Sequence, residues 1–190
     1  MNKWLLPSSV HVAGLDFDID TSYITVLDVL SACNRDDYDK EEKLLYMLMS
    51  MVKDFDKLPV EHYAECSQRL VEFIDMGEHE ENKGKKKPAV MDWEQDAQLI
   101  IPEINKQLGN GLDVRTMPKM HWWTFLGYYQ SIGESAYTHI IALRTKKAMG
   151  KKMEKWEQEY INENPQLFNL KKHLTDKEKA DKQALDELLG

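Results

Sequence analysis

Cysteine is scarce: Cys33 and Cys66 are the only two in 190 residues. They cannot build a disulfide scaffold, so a reducing, intracellular setting is the simpler expectation. Long apolar runs are missing too. No stretch approaches the roughly 20 apolar residues that cross a bilayer, and Met1-Asn2-Lys3-Trp4-Leu5-Leu6-Pro7 has one lysine and too short an apolar run to be expected as a secretory signal. The usual sequence signs of catalysis are also missing. There is no nucleophile elbow, Walker loop or dinucleotide fingerprint, and Gly109-Asn110-Gly111 lacks the following Gly or Lys-Ser/Thr and reads as a turn. The expectation is a non-enzymatic protein with no cofactor.

What is present suits a folded chain. Apolar residues make up 42% and charged residues 31%, which excludes a disordered acidic tail. The length favours one mainly helical domain over 1–165, open to sub-division at the charged loop 78–88, with a helical tail over 166–190. The net charge of −8 is unevenly spread: residues 1–82 carry 7 basic and 18 acidic side chains, residues 83–190 carry 18 basic and 15 acidic. Such asymmetry bears on association and not on fold.

The fold class is mainly α, a helical bundle with a small amino-terminal β-hairpin. In the hairpin, Val10 and Val12 flank His11, Ala13-Gly14 turns, and Leu15, Phe17 and Ile19 alternate with Asp16, Asp18 and Asp20. Helical spacing follows. Ile24, Leu27 and Leu30 predict a short helix ending near Cys33-Asn34. Leu44, Leu48, Met51, Val52 and Phe55 predict another, with Asp39, Glu41 and Glu42 at its start. Pro59 opens a third, striped by Tyr63, Cys66, Leu70 and Ile74 and stopped at Gly77. Beyond the charged loop, Trp93, Ala97, Ile100, Ile101, Ile104 and Leu108 share a face that Pro102 should kink or split. Thr116 and Pro118 precede a helix through Trp122, Phe125, Leu126, Tyr129 and Ile132. Further helices are expected through Ile140, Ile141 and Arg144, over Lys151 to Asn162, and after the capping-box sequence Thr175-Asp176-Lys177-Glu178.

Most chemical motifs dissolve on inspection. Asp16, Asp18 and Asp20 could open a calcium loop, but positions six and twelve hold Thr21 and Leu27, so they read as the wet face of a strand. His62 and Cys66 share a helix face, yet two ligands do not make a zinc site. Arg144, Lys146, Lys147, Lys151, Lys152 and Lys155 could form a nucleic-acid stripe, but Glu154, Glu157 and Glu159 dilute it and the chain is acidic overall, so nucleic acid is not the expected partner. His121-Trp122-Trp123 is the most unusual feature. Adjacent tryptophans on a helix point about 100° apart, so the pair is either a core anchor between two neighbours or a docking surface.

The stretch Met91-Asp92-Trp93-Glu94-Gln95-Asp96-Ala97-Gln98-Leu99-Ile100, then Leu112-Asp113, Met120-His121-Trp122-Trp123-Thr124-Phe125 and Ile140 through Arg144, resembles the bacteriophage "gene product fifteen" family of long-tailed phages and prophages of Gram-positive bacteria. The hairpin and the helix from Asp37-Tyr38-Asp39-Lys40-Glu41 to Met51 are similar too, and the resemblance spans most of residues 10–165. It implies a tail-assembly chaperone in the host bacterial cytoplasm, with the tape-measure protein and the major tail protein as partners. A structural or connector protein retained in the virion is the alternative reading, and the chain could also form homo-oligomers. Apolar groove residues would come from Leu44 to Phe55, where Met47, Met49 and Met51 either fill the core or add adaptable contact surface. The candidate partner contacts are Met47, Met51, Phe55, His121, Trp122, Trp123, Arg144, Lys147 and Lys151.

The resemblance also implies two products made by ribosomal frameshifting, with residues 1–82 shared and 88–190 as the extension. The expected outcome of sequencing the coding DNA is an A-rich slippery run at Lys85-Lys86-Lys87; mixed, non-slippery lysine codons would remove the idea.

Overall fold

A computed structural model describes residues 4–35, 37–77 and 88–170. The charged segment 78–87, with Lys85–Lys87, and the helix expected after Thr175 lie outside the described residues. Within them the chain is mainly α, with eight α-helices and one two-stranded antiparallel sheet. No helix among the described residues is long and apolar enough to cross a membrane. The chain divides into two compact units. One holds residues 4–77 together with Lys119–Trp123, and the other holds 88–118 and 124–170.

The first unit starts with the hairpin β1 (Ser9–Val12) and β2 (Leu15–Asp18), in register Val10↔Phe17 and His11↔Asp16. Its turn needs two positive φ angles, which Ala13 (49°) and Gly14 (84°) supply, matching the twist of the strands. Val10, Val12 and Phe17 are buried, while Leu15, beside the turn, is exposed. Past β2 the backbone keeps pairing: Asp20 N–H donates to the Met51 carbonyl at 2.7 Å and Lys53 N–H to the Asp18 carbonyl at 3.0 Å. Asp20 therefore leaves the strand face assigned to it. Its carboxylate accepts from Ser22 N–H and the Thr25 hydroxyl at the start of helix α1 (Tyr23–Cys33). Burial raises the Asp20 pKa, but those hydrogen bonds and the charge of Lys53 outweigh it and hold the carboxyl below its ordinary value.

Helix α1 ends where expected, but its buried stripe is Tyr23, Val26, Val29 and Ala32, one position away from Ile24, Leu27 and Leu30. The helix is apolar nearly all round, so spacing allowed either stripe. The choice falls to the backbone of Tyr23, whose N–H is held by the Met120 carbonyl at 2.9 Å. Helix α2 (Lys40–Met51) opens on a capping box between Asp39 and Glu42 and buries Met47, Leu48 and Met51. It stops earlier than its apolar spacing suggests, because Val52 turns extended and pairs with Ile19; Phe55 lies in a separate 3₁₀ turn. Helix α3 (Tyr63–Ile74) buries Cys66, Leu70, Phe73 and Ile74. Gly77, at φ 73°, closes it by donating to the Glu72 carbonyl.

In the second unit, α4 (Ala97–Leu108) begins after Trp93 and runs unbroken through Pro102. Proline removes only the bond its N–H would have made to the Gln98 carbonyl, and its ring is exposed near the helix start. Gly109, Asn110 and Gly111 all take positive φ and stop it. The division between the units falls within α5 (Trp122–Gln130). Helix α6 (Ala136–Ala148) starts on a Ser135–Thr138 capping box, and α7 (Lys155–Glu163) on Glu154 and Glu157. Helix α7 thus starts four residues later than expected. Pro165 opens a further single turn, α8 (Pro165–Phe168), as proline suits a first helical position. Ile140, Leu143, Ile161 and Phe168 form a core cluster here, with Leu99, Met153, Tyr160 and Leu167 against it.

The Trp122 indole is 2% exposed and donates to the Ile74 carbonyl at 2.8 Å, in the last turn of α3. Trp122→Phe keeps most of the apolar contact and removes the donor. The expected loss is about 1–3 kcal/mol, the cost of an unmet buried polar group, read as a lower midpoint in urea denaturation with an unchanged slope. Trp122→Ala should lose about 3–5 kcal/mol. A Phe variant as stable as the parent would show that this bond is not needed.

Candidate functional site

The His121-Trp122-Trp123 motif is a fixed part of the first unit. Trp122 N–H donates to the Thr21 carbonyl at 2.7 Å. Beside the Trp122 bond to Ile74, the Trp123 indole donates to the Phe73 carbonyl at 2.7 Å. Two adjacent indoles thus meet two consecutive carbonyls at the end of α3, where helical carbonyls lack intrahelical partners. Trp123 stacks on Phe73 at 6.0 Å. The His121 ring, hydrogen-bonded through Nε2 to the Pro7 carbonyl at 2.8 Å, stands edge-on to both Phe73 and Trp123. The motif spends its polar atoms inside the unit. A product ending near residue 82 would lack this whole segment and leave the Thr21 and Ile74 carbonyls without these donors.

Arg144 leaves the basic stripe altogether. Its side chain is 4% exposed and forms a two-pronged ion pair with Asp96, Nη1 to Oδ2 at 2.7 Å and Nη2 to Oδ1 at 2.8 Å. Nε donates to the Leu167 carbonyl at 2.7 Å and Nη1 also to the Val90 carbonyl at 3.1 Å. Asp96 Oδ2 accepts Asp92 N–H as well, and Gln95 donates to the Gln166 and Asn169 carbonyls. One guanidinium therefore ties the irregular segment 90–96 to α6 and α8. A signal for this existed: Arg144 falls on the stripe of Tyr137 and Ile140, and an arginine on a buried stripe requires a buried acid. Nearby, the Tyr137 hydroxyl pairs with that of Tyr129 at 2.7 Å, and burial pushes the Tyr137 pKa up.

Lys146 leaves the stripe too, bridging to Glu157 at 2.5 and 2.7 Å. The Lys146 hydrogen bond, followed by that from Glu154 N–H, holds the Glu157 carboxyl below its ordinary range. Lys147 and Lys151 stay exposed. Among the methionines, Met47 and Met51 are buried in the first unit while Met49 is 59% exposed. Phe55 is half-buried, 5.3 Å from the Tyr63 ring. Other exposed apolar side chains include Ile24 on α1, which the spacing had placed on that helix's buried stripe, and Leu45 on α2 in the first unit, and Trp156 on α7 in the second. Spacing marks a stripe but not which stripe another element covers.

His62 lies 3.9 Å from Glu65, and Cys66, one turn along, is buried with its thiol pushed up to about 11 by that burial. Among the described residues no group of three or more His, Cys, Asp or Glu could hold a metal ion.

A family model described as Bacteriophage Gp15 protein matches residues 2–170, and the chain belongs to that family. No curated protein and no solved structure matches.

The ion pair makes a sharp prediction. Arg144→Met or Asp96→Asn alone should each destabilise by about 3–5 kcal/mol, because each strands a buried partner. Together they should cost less than their sum, by about 1–3 kcal/mol of coupling in a double-mutant cycle followed by urea denaturation. Strict additivity would mean the two groups do not act as a pair.

Proposed function

We propose that this member of the Bacteriophage Gp15 family is a tail-assembly chaperone. It performs no bond-making step, works in the host bacterial cytoplasm, covers the apolar helices of a tape-measure protein and brings major tail protein subunits to it. The observation that carries the reading is the family match over residues 2–170.

Physical features support it. A tape-measure protein is a long helix with apolar stripes, which aggregates unless another surface takes those stripes. Leu45 and Met49 sit one turn apart on α2 and are both exposed, with Met49 more than half open to solvent. The unbranched thioether of methionine repacks against varied side chains, which suits a partner presenting many similar stripes. Met47 and Met51 belong to the core, so the contact surface proposed here lies round the helix from them, on the Leu45–Met49 side.

Co-expression with the long helical product of the neighbouring gene tests the reading. The parent chain should keep that product soluble. Leu45→Asp with Met49→Asp should weaken the association by about 30–700-fold, as expected for two anchors of 1–2 kcal/mol each, with an unchanged circular dichroism spectrum. Mass spectrometry should find the chain missing from purified virions. Stoichiometric presence there would make it a structural part of the particle instead.

A further inference from the structure

Helix α7 sorts its side chains sharply. Glu157 and Ile161 are buried, and about 130° round the helix Trp156, Glu159, Tyr160 and Glu163 share another flank at spacings i, i+3, i+4 and i+7. Trp156 is 54% exposed, a large apolar surface to leave in water. His139 of α6 stacks on it, with ring centres 5.9 Å apart and planes 11° from parallel. Tyr160 stands 6.3 Å from His139 and is braced edge-on by Phe168 at 5.6 Å. His139, Trp156, Glu159, Tyr160 and Glu163 line an open cleft of about 380 Å³ within the second unit.

We infer that this cleft receives an arginine side chain presented by a partner polypeptide. Aromatic faces attract a cation through the ring quadrupole, and two carboxylates at the same cleft add charge of the matching sign. Glu163 has no hydrogen-bond or ion-pair partner among the described residues. Glu159 has only Lys155 at 3.7 Å, both well exposed, a contact easily displaced. Arginine fits better than lysine, because a planar guanidinium stacks on an indole and forks a carboxylate at once, whereas an ammonium holds its water more tightly. The carboxylates repel phosphates, which argues against a phosphate group in this cleft. The open shape leaves a small free ligand largely wet, so affinity has to come from the chain that carries the arginine. This inference stands whether or not the chain serves tail assembly.

The test uses the full chain, labelled with nitrogen-15, and follows the indole N–H resonance of Trp156, assigned by its loss in Trp156→Phe. The probes are an alanine-rich helical peptide with one arginine, the same peptide with neutral citrulline in its place, and N-acetylarginine amide. The arginine peptide should shift the Trp156 signal and bind about tenfold more tightly than the citrulline peptide, one charge-assisted contact's worth. Glu159→Gln with Glu163→Gln should remove that difference while the thermal unfolding curve stays put, since both residues are exposed. Equal binding of the two peptides, or no shift, overturns the inference. Equal binding of the amide and the arginine peptide overturns it in favour of a small-molecule site. Sedimentation showing dimers that dissociate in the double variant overturns it in favour of a second copy of this chain.

Discussion

The first unit is built around a segment that arrives from far along the chain. Lys119–Trp123 returns to residues 4–77 with its hydrogen-bonding groups already assigned. Met120 and Trp122 pair by backbone with Tyr23 and Thr21, and His121 bonds to Pro7. The two indoles meet the last turn of α3. Each of these groups would be costly to bury unmet. The segment therefore fixes which face of α1 turns inward and seals the end of α3, and the unit is not contiguous in sequence. Residues 4–77 by themselves would lack these partners.

The second unit meets the same constraint with charge. Segment 90–96 has no ladder of its own, and Asp96 and Arg144 substitute for one through a paired, buried contact from which four backbone carbonyls and an N–H are also served by Arg144, Gln95 and Asp96. A buried pair of this kind adds little net stability against an apolar replacement of both groups. What it adds is selectivity, since any other packing would strand a charge. Tyr137, close enough to Asp96 and Arg144 to sense their charges, starts an aromatic row that continues through Tyr129 to Trp93.

The proposed contacts fall on what the cores do not use. The motifs most conspicuous in the sequence, the paired tryptophans and Arg144, are consumed internally. The side chains on offer are plainer: Leu45 and Met49 on α2, and the aromatic-acidic flank of α7. The two proposed surfaces differ in chemistry, one apolar and one aromatic with carboxylates. The basic run from Arg144 to Lys155 is not a free stripe: Arg144 and Lys146 are tied to Asp96 and Glu157, and Lys155 lies within 3.7 Å of Glu159.

The sequence alone determined the helical class, the hairpin and its turn, the helix start marked by Asp39, the stops at Gly77 and Gly109, and the family. These depend on local backbone chemistry and on periodicities that neighbouring residues carry. Only the tertiary structure decided which of two equivalent stripes α1 buries, where α2 ends, and that Arg144 faces Asp96. Those outcomes depend on groups 30 to 100 residues apart meeting in space, and spacing along a chain holds no record of that. The candidate contacts failed to separate for the same reason: Met47, Met49 and Met51 are alike in sequence, and only the packing of α2 makes two of them core and one surface.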